Sequence, residues 1–278
     1  GLRLYTSPAY QCGMNVVRKD GTMTVRYQEE EGLKALERAV SFIRKYDGAY
    51  DGLIRGALLP ERIETQTEES LLRTRDYAKE LGCPIKLHAA QGGFEYRFIK
   101  EKTGLSPIEY LDSIHFLDQN VGIPHCYIVK GSRWVADEGD ELEILRRTGT
   151  TAIYCPVIIG RSGHYLDSFA GYREKGINVA VGTDTFPPDF FQNIRTASKF
   201  SRMVNGDAKG STYGDVYSAV TLGGAKYLGR EDLGRLCKGA KADMIAVDLD
   251  GFHMGAVDDP IRTIFTCGSG TDVKLSVI

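Results

Sequence analysis

The chain has no run of lysine and arginine that would track phosphates, and its 35 basic residues stand against 37 acidic ones. That balance makes nucleic acid and anionic membrane poor partners and leaves a small molecule as the expected one. CxxC pairs are absent too. The six cysteines (Cys12, Cys83, Cys126, Cys155, Cys237, Cys267) are scattered, and Cys83, Cys126 and Cys155 sit in apolar runs where they read as small core hydrophobes. A reducing, cytoplasmic setting is expected. No charged-then-apolar leader opens the chain, and no apolar stretch reaches the roughly 20 residues that span a bilayer. Secretion and membrane insertion are not expected. There is no initiator methionine: Gly1 leads straight into the strand-like Leu2–Thr6, so a further N-terminal segment is expected before it.

What is present is core material. Of 278 residues, 42% are hydrophobic and 26% charged, enough apolar surface for a sizeable core. Leu33, Leu36, Val40 and Ile43 recur at helical spacing, a helix over Glu68 to Leu81 stops at Gly82, and one over Glu141 to Arg147 is capped by Gly149. Further helices are expected near Pro107 to Phe116 and Leu166 to Lys175. Between these lie six short apolar strands, in Leu2–Thr6, Leu53–Leu59, Ile85–His88, Ile123–Val129, Ala152–Val157 and Val179–Asp184. Strands alternating with amphipathic helices imply an α/β fold with parallel strands, and a closed barrel of that kind needs eight. After Asp184 the chain reads as helical to about Leu228. From Lys238 onward it reads as a second, β-rich piece, in which an alternating strand ending at Asp248 is followed by more short strands.

Parallel α/β folds carry their chemistry at the carboxyl ends of the strands. His88, His125 and Asp184 stand there, each on a different strand, and each is a residue type that binds or works beside a divalent metal. Each also has an ordinary reading: a lone strand-end histidine is often purely structural, and Asp184 in Gly-Thr-Asp-Thr can serve as a turn residue or N-cap. His115 and His253 lie where packing or surface roles are expected. Arg161 and His164 fall in a glycine-containing loop after a strand, where substrate contacts arise. Phe94, Tyr96, Phe98 and Trp134 are expected to pack rather than stack on a ligand.

These residues resemble a known family. Leu-His88-Ala-Ala-Gln91, Pro-His125-Cys, Tyr-Cys-Pro156, Val-Gly-Thr-Asp184, Thr-Leu-Gly-Gly-Ala225 and the stretch from Gly234 to Asp248 are similar, in order and spacing, to the amidohydrolase superfamily. The nearest branch is that of the cytosine, guanine and S-adenosylhomocysteine deaminases and the triazine chlorohydrolases and aminohydrolases. The resemblance implies a metal-dependent (β/α)8 TIM barrel, here incomplete at the N-terminus: a barrel domain over 1–235 carrying strands 3 to 8, and 236–278 as part of a small, β-sandwich-like composite domain. It also implies one divalent metal, zinc ahead of iron, ligated by His88 and Asp184. Asp184 would deprotonate the attacking water and His125 would steady hydroxide or substrate. The substrate would be an N-heterocycle deaminated or dechlorinated at a ring carbon, contacted by Gln91, Arg161 and His164. A homo-oligomer is the family expectation. No lysine lies in Leu53–Leu59 to bridge a second metal.

Two features depart from that branch. Gln91 stands where the deaminases show a proton-shuttling glutamate, and an amide cannot shuttle a proton; Glu95 is near in sequence but belongs to no motif. No His-x-His pair occurs anywhere in the chain, so the other ligands are expected in the preceding segment, with the first two strands. A non-catalytic barrel that has lost its metal, and a hydrolase of acyclic amides or amidines, are the competing readings.

Overall fold

The computed structural model describes residues 2–208 and 211–278; Gly1, which precedes the expected opening strand, and two residues of the stretch expected to be helical to about Leu228 lie outside them. The chain divides into two compact units at Thr151/Ala152.

In chain order the first unit holds β1 (Leu4–Thr6), β2 (Gly13–Val17), β3 (Met23–Tyr27), α1 (Glu29–Tyr46), the single turn α2 (Ala49–Gly52), β4 (Ile54–Gly56), α3 (Glu68–Leu81), β5 (Ile85–Lys86), α4 (Gly93–Thr103), α5 (Pro107–Ser113), β6 (Val121–Pro124) and α6 (Glu141–Thr148). β1 pairs with β4 and β5 with β6, all parallel. Parallel bridges Leu58↔Ile85, Arg62↔His88 and Ala89↔His125 carry the pairing past the strand ends. The helices lie in the crossovers, as parallel pairing requires. α1 buries Leu36, Ala39, Val40 and Ile43 along one stripe. α3 starts at Thr67, whose side chain accepts from Ser70 N–H, and stops at Gly82 in the left-handed region (φ 60°). Leu58, Leu87 and Ile123, one from each of three neighbouring strand segments, are fully buried.

Two elements of this unit depart from the sequence reading. The polar stretch after β1 is an antiparallel hairpin, β2 paired with β3. Its turn rests on Asp20, whose Oδ1 accepts from Thr22 N–H (2.9 Å), and on Gly21 at φ 84°. The loop expected after His88 is largely the helix α4, which buries Glu95, Tyr96 and Ile99 and ends on Gly104.

The second unit holds β7 (Thr151–Tyr154), α7 (Pro156–Arg161), α8 (Phe169–Glu174), β8 (Val179–Val181), α9 (Phe190–Asn205), α10 (Tyr213–Ser218), a π turn (Ala219–Gly223), α11 (Gly224–Tyr227), β9 (Met244–Val247), α12 (Pro260–Cys267) and β10 (Val273–Val277). β7 and β8 are parallel, Tyr154 facing Val181. The strand expected through Val157 stops at Tyr154 because Pro156, preset for a helix's first turn, opens α7. Arg161 therefore ends a helix rather than standing in a loop. In the tail, β9 and β10 pair antiparallel, and α12 occupies the stretch between them in which further strands were expected, started by Asp259 and Pro260. Among the described residues no helix is long and apolar enough to cross a membrane.

Candidate metal centre

His88 lies two residues beyond β5, where the bridge to Arg62 holds the backbone. Its Nδ1 lies 2.7 Å from the Glu61 carbonyl oxygen. A carbonyl only accepts, so Nδ1 carries the proton and the lone pair is left on Nε2, the tautomer a metal ligand needs. Burial pulls the His88 pKa below 6.5, partly countered by that hydrogen bond.

His125 follows β6 directly and is 1% exposed. The chain turns there: His125 and Cys126 both have positive φ, 67° and 49°. Such a run costs non-glycine residues on the order of 1–3 kcal/mol each and is kept where the surroundings impose it. The turn sets the two imidazoles face to face, with ring centroids 5.6 Å apart and planes 28° from parallel. Burial first, then the neighbouring His88 and Arg62, lowers the His125 pKa to about 3. Both rings are thus neutral at physiological pH, as metal binding requires.

In the second unit Asp184 stands three residues past β8, again with positive φ (57°), a backbone that aspartate tolerates better than most residues. Arg161, the last residue of α7, donates from Nη1 to the Phe186 carbonyl at 3.2 Å, which ties it to the segment carrying Asp184. His164 lies three residues beyond α7, its N–H donating to the Ile159 carbonyl.

Gln91 sits just before α4, and its Oε1 is buried with no hydrogen-bond partner among the described residues. An amide oxygen so placed costs about 1–3 kcal/mol until a donor arrives. Around it stand buried acids that sequence reasoning left unassigned. Glu95, 1% exposed, accepts from Ala90 N–H at 2.5 Å and Gln91 N–H at 3.2 Å. Burial, and then the Glu64 carboxylate, raise its pKa well above 4.5. Glu64 accepts from Arg62 Nε at 2.8 Å and Asn15 Nδ2 at 3.0 Å. The signal for Glu95 was weak, a single acid in a stretch read as loop.

Against known families, residues 4–278 match the model of the amidohydrolase family. The chain belongs to that family. Among amidohydrolase relatives, a 5-methylthioadenosine/S-adenosylhomocysteine deaminase of Haloarcula marismortui is 30% identical over 96% of this chain and 61% of its own length. A 5'-deoxyadenosine deaminase of Methanosarcina acetivorans is 29% identical over 91% of this chain and 57% of its own. The chain thus spans about three-fifths of the length of the curated relatives it matches. The fold matches that of a zinc-bound adenosine deaminase from Xanthomonas campestris, with a TM-score of 0.82 at 20% identity over 99% of this chain and 59% of that one. It also matches an atrazine chlorohydrolase of Arthrobacter aurescens in complex with zinc, with a TM-score of 0.77 at 20% identity over 87% and 54%.

Proposed function

We propose that the protein is a metal-dependent hydrolase that attacks a ring carbon of an N-heterocycle with water and releases ammonia, an amine or chloride. The observation that carries this reading is the neutral pair of half-buried His88 and buried His125 at adjacent strand ends, with the His88 proton held by the Glu61 carbonyl. Two imidazoles and the Asp184 carboxylate are a suitable donor set for one divalent ion. Zinc is favoured over iron by the zinc-bound structures that share the fold.

In this reading His88 and Asp184 hold the metal and His125 steadies hydroxide or substrate. The metal, when bound, brings the pKa of a coordinated water towards about 7. Asp184 takes up the water's proton, which is then available for the leaving group. Gln91, which gives and takes no proton, orients the substrate: its bare Oε1 accepts from a ring or exocyclic N–H. Arg161 and His164 are the further substrate contacts in this reading. Heterocycles carrying an exocyclic amine, 5'-substituted adenosines among them, are the first substrates to try.

The test is metal analysis of the purified full-length protein with ammonia release measured on ring amines and linear amides. About one zinc or iron per chain, ring-amine turnover, and loss of that turnover in Asp184→Ala are expected. A folded, metal-free, inactive protein would establish the non-catalytic reading instead, and release from linear amides alone would move the substrate class.

A further inference from the structure

The Ala90 peptide is gripped from both sides. Its N–H donates to Glu95 Oε1 at 2.5 Å, and the next N–H, that of Gln91, reaches Glu95 Oε2 at 3.2 Å. Its carbonyl accepts two more hydrogen bonds, from Tyr127 N–H at 3.0 Å and Ile128 N–H at 2.9 Å. Ala90 lies two residues past His88, and Tyr127 two past His125. Both strand ends turn through left-handed backbone there, with Ala90 at φ 54° after His88, and His125 at 67° and Cys126 at 49°. Histidine visits that conformation more often than most residues, but alanine and cysteine do not favour it. Hydrogen bonds from outside must impose it.

We propose that Glu95 is a positioning residue of the metal centre, its two carboxylate oxygens fixing the Ala90–Gln91 turn through which the strand end of His88 is tied to that of His125. The inference rests on the metal-centre reading of these histidines.

Glu95 is 1% exposed, and the nearby cation Arg62 spends its Nε on Glu64 instead. A carboxyl group buried at such cost is explained by the two adjacent N–H groups, which need two acceptors on one rigid fork. Glutamine has one acceptor and would turn an amide N–H against one of those donors. Glu95→Gln thus breaks the clamp at nearly constant volume. Aspartate keeps both acceptors on a shorter stem.

The comparison needs a buried acid of similar setting that touches neither histidine. Glu141 serves: it is 1% exposed and accepts from Ser106 Oγ and from Lys130 N–H at 2.6 Å. In the metal-free full-length protein, the imidazole ¹H–¹⁵N resonances of wild type, Glu95→Gln, Glu95→Asp and Glu141→Gln are compared, followed by zinc affinity from competition with a chromogenic chelator. Glu95→Gln should move the His88 and His125 resonances, leave those of His115 and His253 in place, and weaken zinc about 10- to 100-fold. Glu95→Asp should restore most of the affinity, and Glu141→Gln should keep it whatever happens to its melting temperature. Unmoved His88 and His125 signals with zinc affinity within about twofold, or an equal loss in Glu141→Gln, would overturn the proposal. Should Glu95→Gln fail to fold, the same resonances and affinity in Glu95→Asp decide. The ring signals are read without metal or substrate, so a wild type that releases no ammonia would reject the hydrolase reading while the role of Glu95 is still decided.

Discussion

Lowering the pH should destabilise the metal-free protein through His125. Its pKa stands at about 3 in the fold, against 6.5 for an unhindered imidazole, because the ring is buried and faces His88 and Arg62. A depressed folded pKa means that the unfolded chain binds the proton first. The contribution to stability is therefore complete above pH 6.5 and is lost progressively as the pH falls towards 3. At 1.36 kcal/mol per unit the full loss is about 5 kcal/mol, of which about 2 kcal/mol falls between pH 7 and pH 5. The ring is too well buried for solvent screening to erase the effect. The assay is urea unfolding in chelator at the two pH values, for wild type and for His125→Asn, in which the uncharged asparagine tolerates the left-handed backbone. Wild type should lose about 2 kcal/mol more than the variant over that interval. Equal losses would show that His125 protonates in the fold, and the neutral-pair reading would fall.

Leu87→Ala should cost about 2–5 kcal/mol by equilibrium unfolding, since the side chain is fully buried where β5 enters the site; a loss under about 1 kcal/mol would mean that the core closes over the gap. Gly223→Ala would place a Cβ 2.2 Å from the Val179 carbonyl oxygen, a backbone clash that forces the π turn off β8. It should lower stability by at least about 1–3 kcal/mol, and a variant that melts with wild type would rule out that close approach.

Much of the helical framework was legible because its signals are local. The stripe of α1 follows 3.6-residue spacing, and α3 and α6 end on Gly82 and Gly149, both left-handed as a C-terminal glycine should be. The β2–β3 hairpin carried its own marker in Asp20-Gly21, but the flanking strands are largely exposed and so lack the apolar alternation that announces a buried one. The α4 helix hid behind Gly92 and Gly93, which read as loop, while a polar residue, Glu95, occupies part of its buried face. At α7 the proline that ended the expected strand was also the start of a helix.

The candidate ligands divide along the same line. His88, His125 and Asp184 stand out as polar residues closing apolar runs, since a strand end is where side-chain type and position both carry information. What prepares the two histidines was not visible, because it runs through backbone atoms common to every residue. The Glu61 carbonyl selects the His88 tautomer, and the Ala90 peptide joins the two strand ends. Left-handed φ at Ala90 and Cys126 contradicts local preference. Such a conflict marks where tertiary hydrogen bonds overrule propensity, as is expected at a functional site. Glu95 follows from that conflict: a buried acid with no motif gains its reason only once the two N–H groups it accepts from are seen.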